Sequence, residues 1–337
     1  MTGQQDPGPR PAVAPDESAA WWPRWPPPRA DVLQAAVVVV ALVALVVIAQ
    51  KLFQMKRFLG TLATFEQTYL LPLLLLGLAY YGLKTLRWHY YLREAGIVVR
   101  PWRAAAAYLA GQWFTFTPAG ELMRGYLLGS GIPFAQVAPT VIVQVLADFL
   151  SLAVVATAVV PFYPGLSAAV LPVTLPILAA MLLLATPALR HRAAGWRLLR
   201  WLASGKRQAV VEEAAGLVGP RQTAVGLLLG IPAVLTGGFG FYLAGLAVGL
   251  SGWDLGRAIG VYAMMQLLGG LSPSPQGLGV TEGSGVLILA YLGIDPGEAL
   301  AAIVLFRATL LALSAGLGGL ALLSLRLADR SMRSHPA

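Results

Sequence analysis

Two short segments that combine charges with helix-breaking residues interrupt an otherwise apolar chain. Residues 117–124 include a proline, a glycine, a glutamate and an arginine, and residues 272–283 include two prolines, three glycines and a glutamate. In hydrocarbon, an unpaired charge or an open backbone persists only where protein or a watery cavity covers it. Each segment lies between two short apolar stretches. Because the segments occupy corresponding places, they indicate one binding site that is built twice.

The composition predicts that the whole chain is a polytopic membrane protein. Its 337 residues are 57% hydrophobic and 12% charged, whereas soluble domains carry about 25% charged residues. The net charge of +9 favours cytoplasmic loops and anionic lipid headgroups as its explanation over nucleic acid. Cysteine is absent, which excludes disulfides and thiolate ligands. The three histidines lie far apart, so we expect neither a metal site nor another cofactor.

Apolar stretches predict an all-α fold with six full transmembrane helices. A helix needs about 20 residues to cross the hydrocarbon. Two further pairs of apolar arms, of about 10 to 14 residues each, are too short to cross but long enough to enter and return. We predict that these pairs are re-entrant helical hairpins, 104–117 with 121–130 and 258–271 with 282–294. The six predicted spans are 33–49, 69–86, 137–162, 166–189, 224–249 and 297–325.

The distribution of arginine and lysine predicts an inverted repeat. Basic residues are concentrated in 84–103, 190–222 and the C-terminal tail, which places these segments in the cytoplasm. Counting crossings from these segments, the first hairpin enters from the cytoplasm and the second from outside. The two halves are therefore predicted to be inverted repeats whose broken helices meet near the midplane.

This topology gives a predicted domain organisation for the chain. We expect a cytoplasmic (inner) membrane protein whose N- and C-termini are both cytoplasmic. The predicted parts are a disordered proline-rich tail (1–30), a transmembrane domain (31–325) made of half one (69–162), a cytoplasmic loop (190–222) and half two (224–325), and a cytoplasmic tail (326–337).

Charged residues in the hairpins and the long helices are the candidate ligand-binding groups. Glu121 and Arg124 are spaced i, i+3 and share a helix face. Glu282 occupies the equivalent place in the second hairpin. Asp148 and Arg307 lie within predicted spans, where a charge indicates a functional site by default. Arginine suits phosphate because its fork binds two oxygens at once.

Uncharged residues complete the predicted site. Gln112 and Gln266 on the hairpin arms are further candidate ligand-binding residues. The turns of the two hairpins are predicted at Pro118, Gly120, Pro275, Gly277, Gly279 and Gly283.

A structural role competes with each of these assignments. Glu121 and Arg124 could form only a local ion pair that closes the hairpin, and Asp148 with Arg307 could bridge the two halves. Other polar residues have similar alternatives: interhelical hydrogen bonds for Gln112, Gln144 and Gln266, the tight turn for Gly277 and Gly279, headgroup anchoring for Lys84, Arg87 and His89, and an interfacial belt for Trp88, Tyr90 and Tyr91.

No constellation in the sequence supports an enzyme. The chain lacks a Ser-His-Asp order, a pair of histidines at metal-ligand spacing, a phosphate-binding loop and a dinucleotide fingerprint. We therefore expect a protein without catalytic activity.

The two broken segments resemble motifs of an integral-membrane, flippase-like family. That family includes the transmembrane region of lysylphosphatidylglycerol synthase/flippase proteins, and the resemblance covers roughly residues 33–325. Two departures are Gln276, where the family usually has glycine, and Gln144-Val145, where an acidic–basic pair is frequent. The matching residues are Pro118, Gly120, Glu121 and Arg124 in the first motif, and Pro275, Gly277, Leu278, Gly279, Glu282, Gly283 and Arg307 in the second.

The resemblance implies movement of a lipid, or of a lipid-linked group, between the two leaflets. We expect a phosphate-containing headgroup to enter a polar cavity between the hairpins while its tails stay in the bilayer. The predicted partners are this lipid, the bilayer, and a second copy of the chain or a membrane enzyme, with no nucleic acid. The alternative is a non-catalytic protein that presents a lipid to a membrane glycosyltransferase or lipid synthase.

Overall fold

The structure is a computed structural model, and it describes residues 60–61, 63–114, 120–129, 132–185, 213–272 and 274–333. Within these ranges the regular structure is helical and no strand occurs, so the all-α prediction is confirmed for them. The predicted tail (1–30) and the first predicted span (33–49) lie outside the described residues. In chain order the helices are α1 (Leu70–Glu94), α2 (Pro101–Gly111), α3 (Gly120–Leu127), α4 (Phe134–Val159), α5 (Ser167–Ala185), α6 (Pro220–Ala247), α7 (Leu255–Leu271), α8 (Val280–Tyr291) and α9 (Pro296–Arg333).

Four of the described helices are long and apolar enough to cross a membrane. They correspond to four of the six predicted spans, and α5 is described to Ala185, within the predicted span 166–189. The four stretches of suitable length and composition are Gln67–Glu94, Phe134–Phe162, Pro220–Ala247 and Pro296–Leu327.

The shorter helices form two pairs, as the sequence predicts. Helix α7 has 17 residues and is therefore about 26 Å long, less than the roughly 30 Å of hydrocarbon. Helices α2 and α8 are shorter still, with 11 and 12 residues. Helix α2 packs against α3, and α7 packs against α8. Each pair therefore folds back on itself.

Capping residues set the beginnings of α2 and α7 earlier than predicted. Pro101 occupies the first turn of α2, where a missing N–H leaves no donor unsatisfied. Asp254 caps α7 and accepts the Arg257 backbone N–H at 2.9 Å. The same carboxylate accepts a hydrogen bond from the Tyr163 hydroxyl, which raises the pKa of Tyr163. This contact fixes the start of α7 beside the end of α4.

Helices α1 and α6 pack side by side in opposite directions. At one end the Glu66 N–H donates to the Ala247 carbonyl at 2.8 Å. At the other end Gln222 Nε2 donates to Glu94 Oε2 at 2.7 Å. The start of each helix therefore lies beside the end of the other.

The packing of α1–α4 has a counterpart in the packing of α6–α9. Helix α1 packs against α2 and α4, and α6 packs in the same way against α7 and α9. Helix α3 packs against α4 as α8 packs against α9. Contacts between the two sets also correspond in pairs. Helix α2 packs against α9 as α7 packs against α4, and α1 packs against α9 as α6 packs against α4. Exchanging the two sets leaves this pattern of neighbours unchanged.

Each short pair reaches only to the middle of a long helix from the other set. Gly256 at the start of α7 packs against Tyr163, just beyond α4, and Gly270 near the end of α7 packs against Phe149. In the same way, α2 runs along α9 until the Trp113 indole N–H donates to the Ala315 carbonyl at 2.9 Å. The ends of α2 and α7 therefore lie at the mid-level of the long helices.

Candidate functional site

A cavity of about 460 Å³ lies between the described inner ends of the two short pairs and the long helices. Its size falls within the range of about 300–1,000 Å³ that is usual for small-ligand sites. Both short pairs and all four long helices contribute to its wall. Charged or amide side chains in the wall are Lys84 of α1, Gln112 directly after α2, Glu121 of α3, Asp148 of α4, Gln266 of α7, Gln276 in the turn between α7 and α8, and Arg307 of α9.

The cavity lies at the mid-level of the four membrane-crossing stretches. Tyr81 in α1, Asp148 in α4, Val234 in α6 and Leu311 in α9 line it, and each is at or beside the middle of its stretch. Charges at this level are costly to keep in a bilayer unless they are paired or hydrated. In this chain, ion pairs at the cavity wall stabilise the charges at this level.

The structure brings most of the predicted site residues to this one cavity. Gln112, Glu121, Asp148, Gln266 and Arg307 all line it, as do the predicted turn residues Pro275 and Gly277. Arg124 and Glu282 lie one layer behind, where each forms an ion pair with a lining residue. Among the other predicted turn residues, Gly120 begins α3 and Gly283 lies within α8, whereas Pro118 lies outside the described residues.

Glu121 and Arg124 form the ion pair that their spacing predicts. Arg124 Nη2 donates to a Glu121 carboxylate oxygen, and Arg124 Nε donates to the Glu121 carbonyl at 2.9 Å. The Arg124 side chain is only 1% exposed. Its guanidinium lies over the rings of Trp88 and Tyr108, 5.4 and 5.0 Å from their centroids, where cation–π attraction favours the charge. Arg124 therefore holds Glu121 in place rather than facing the cavity itself.

Arg307 forms the second charged group of the wall, together with Glu282. Arg307 Nη1 donates to Glu282 Oε1, and its Nη2 donates to the Gln276 carbonyl at 2.9 Å. Glu282 Oε2 accepts the Gly279 N–H at 2.7 Å at the start of α8, a helix end that favours a carboxylate. The alternative in which Arg307 bridges to Asp148 is therefore wrong, because each of them pairs within its own set of helices.

Asp148 instead pairs with two cations of α1. The Asp148 carboxylate accepts a hydrogen bond from Arg87 Nη2 through Oδ1, and Lys84 Nζ lies 3.0 Å from its Oδ2. Arg87 is fully buried and also donates through Nε to Gln144 Oε1 at 3.3 Å. Interpreting Lys84 and Arg87 as headgroup anchors is therefore wrong. Gln144 acts as the interhelical hydrogen-bonding residue that one alternative proposed.

The predicted interfacial belt beside these cations is also wrong for two of its members. Trp88 and Tyr91 are buried within the protein, and the Trp88 indole N–H donates to Thr140 Oγ1 at 3.1 Å. The sequence did hold a signal for this inner face. Lys84 and Arg87 are spaced i, i+3, the same spacing that singled out Glu121 and Arg124.

The turn between α7 and α8 depends on left-handed backbone conformations. Gly277 has a φ of +67° and Gly279 a φ of +84°, values that side chains disfavour. Both glycines thus serve the tight turn, as one alternative held. Gln276, at the position where the family usually has glycine, also has a positive φ of +51°. Its carbonyl is the acceptor that Arg307 uses, so this strained conformation fixes an arginine of the wall.

The charged groups of the site are guanidinium, ammonium and single carboxylates. Across the part of the chain that the structure describes, no group of three or more histidine, aspartate or glutamate residues is placed to hold a metal ion. The wall offers hydrogen-bond donors and acceptors of both charges, an arrangement that can bind and release a polar group.

These features define an all-helical, multi-pass membrane protein with a polar cavity among its helices. The chain belongs to the family described as the lysylphosphatidylglycerol synthase TM region, which matches residues 33–318. This match confirms the family resemblance seen in the sequence and includes the first apolar stretch. No curated protein matches the chain.

Proposed function

We propose that this protein moves a phospholipid, or a lipid-linked anionic headgroup, between the two leaflets of the membrane. The observation that carries the proposal is a cavity with paired charges at the mid-level of four membrane-crossing helices. A polar headgroup cannot cross hydrocarbon unless other polar groups replace its water. Membership of a family named for a membrane lipid supports a lipid as the transported molecule.

We further propose that α1–α4 and α6–α9 are inverted repeats, with α2–α3 and α7–α8 as re-entrant hairpins that enter from opposite faces. The antiparallel packing of α1 and α6 supports the inversion. The exchange of neighbours between the two sets supports a pseudo-twofold relation. Secondary transporters use such broken helices to form a substrate site near the midplane.

Basic residues favour one orientation of this arrangement. Arg93 lies in the last turn of α1, Arg100 and Arg103 follow that helix, and Arg221 lies at the start of α6 beside it. The positive-inside rule places this end in the cytoplasm. Hairpin α2–α3 then enters from the cytoplasm and α7–α8 from outside. The proposal retains the cytoplasmic (inner) membrane and cytoplasmic termini predicted from the sequence.

In this mechanism the headgroup occupies the cavity while the acyl or prenyl tails remain in lipid. The ion pairs of Glu121, Asp148 and Arg307 keep the wall neutralised when no headgroup is present. An entering headgroup exchanges hydrogen bonds with them, and no covalent step is needed. The proposed partners are the lipid, the bilayer, and a second copy of the chain or a membrane enzyme.

Filling the cavity is expected to block leaflet exchange. Leu311 of α9 lines the cavity, whereas Leu320 of the same helix is 68% exposed on the surface of the protein. In liposomes containing the reconstituted protein, Leu311→Trp is expected to slow exchange about tenfold or more, because that barrier increase needs only about 1.4 kcal/mol. The Leu320→Trp control is expected to exchange at the wild-type rate. Dithionite reduction of a tail-labelled fluorescent phosphatidylglycerol measures the exchange.

The outcomes separate transport from lipid presentation. Equal rates for Leu311→Trp and the wild type would show that headgroups do not pass through this cavity. If the wild-type protein retains lipid through purification but does not accelerate exchange, translocation is wrong and the lipid-presenting alternative gains support.

A further inference from the structure

The charges around the cavity do not balance, and the surplus lies at one place. Arg124 pairs with Glu121, and Arg307 pairs with Glu282. The third carboxylate, Asp148, pairs with two cations of α1. One positive charge of this three-residue group therefore has no anion of its own among the described residues that surround the cavity.

Of the two cations beside Asp148, Lys84 is the one available to a ligand. Arg87 is fully buried, and it donates to Asp148, to Gln144 and to the Gly226 carbonyl. The Lys84 side chain is 16% exposed and lines the cavity. Its ammonium carries three N–H donors, of which two are used by Asp148 and by the Tyr80 hydroxyl at 3.1 Å.

We propose that Lys84 binds the phosphate oxyanion of the molecule that occupies the cavity, and that Arg87 and Asp148 position it. The inference rests on the proposed function for the presence of that ligand in the cavity. Arg87 alone neutralises Asp148, so Lys84 can shift toward a phosphate without leaving a bare carboxylate. The ammonium also acts as a compact point charge on a flexible stem, which allows it to follow a moving headgroup.

The same charge distribution limits the ligand to one phosphate charge at this place. A single anionic group next to Lys84 makes the surroundings of the cavity neutral. A second negative charge would meet Glu121, which lines the same cavity with a side chain 48% exposed. A phosphodiester therefore fits better than a diphosphate.

The test compares three variants of the full chain in detergent by isothermal titration calorimetry. The probes are dihexanoyl phosphatidylglycerol and, separately, inorganic phosphate at equal ionic strength. Lys84→Gln is expected to weaken binding about tenfold or more, since it removes a hydrogen bond to a charged group. Lys84→Arg, which keeps the charge, is expected to stay within about threefold of wild type. Arg93→Gln is the matched control, an exposed cation on the same helix.

Lys84→Gln leaves Arg87 to pair with Asp148, so the variant is expected to fold, and its elution and thermal midpoint can be compared with wild type. A Lys84-dependent loss with the lipid assigns the site to a headgroup, and a loss with phosphate alone assigns it to free phosphate. Wild-type affinity of Lys84→Gln for both probes would overturn the inference. If Lys84→Gln binds both probes like wild type and also exchanges lipid normally, the proposed function stands and only the inference about Lys84 is rejected. Conversely, Lys84-dependent binding without exchange by the wild type retains the site and rejects translocation.

Discussion

Replacing Asp148 by alanine is expected to destabilise the protein by about 3–5 kcal/mol, the usual cost of removing one partner of a buried ion pair. The variant leaves Arg87, which is fully buried, without its carboxylate, and Lys84 loses the same partner. The two like charges then lie on adjacent turns of α1 with no anion between them. Unfolding in mixed detergent micelles, followed by intrinsic tryptophan fluorescence, measures the change.

A matched variant separates charge from packing in this result. Replacing Lys84, Arg87 and Asp148 together by methionine, leucine and leucine removes the whole group while keeping apolar volume. Because well-packed apolar residues often replace a buried ion group at little loss, this triple variant is expected to be more stable than Asp148→Ala. If the free energy of unfolding of Asp148→Ala lies within about 1 kcal/mol of the wild-type value, water rather than the protein solvates these charges.

Gly277→Ala is expected to cost about 3 kcal/mol and to abolish any activity of the cavity. A side chain at a positive φ costs about 1–2 kcal/mol, and Gly277 has a φ of +67°. An added Cβ would also lie 2.8 Å from the Gly269 backbone, which cannot move aside without separating α7 from α8. Overpacking of this kind typically adds about 1–3 kcal/mol. The same micelle unfolding experiment measures the loss.

Gly283→Ala is the control for Gly277→Ala. Gly283 lies in α8, six residues further on, and an added Cβ there meets nothing within 4 Å. Alanine in a helix interior is favoured over glycine by about 0.5–1 kcal/mol, so this variant is expected to be as stable as wild type or slightly more stable. Equal effects of the two substitutions would contradict the tight-turn geometry.

The sequence predicted the broken elements well because their breaks are local. Proline and glycine impose their effects on the residues beside them, so the short helices α2, α3, α7 and α8 and the turn at Gly277 and Gly279 could be recognised without coordinates. Their re-entrant course through the membrane stays a prediction. Helix ends were less accurate. The predicted span 69–86 ends before Arg87 because arginine lowers local hydropathy, yet α1 continues to Glu94. The charge of Arg87, before which the predicted span ends, is neutralised by Asp148, which is distant in the sequence.

The sequence could not show which charged side chains pair with each other. Hydropathy marks Asp148 and Arg307 as unusual, but it contains nothing about which helices pack together. The antiparallel packing of α1 against α4 brings Lys84 and Arg87 to Asp148, and the folding back of α8 beside α9 brings Glu282 to Arg307. The position of Lys84 near the end of a predicted span favours headgroup anchoring, yet the residue lines the cavity.

Labelling of single cysteines from the two sides of the membrane tests the central claim most directly. The sequence contains no cysteine, so each introduced thiol is unique. Val98 and Pro133 flank α2–α3, Ser251 precedes α7, Tyr291 is the last residue of α8, and all four are exposed. An impermeant maleimide is expected to label Val98→Cys and Pro133→Cys only in inside-out vesicles. The same reagent should label Ser251→Cys and Tyr291→Cys only in intact cells. Labelling of the two positions that flank one hairpin from opposite sides would contradict the account, because that pair of helices would then cross the membrane.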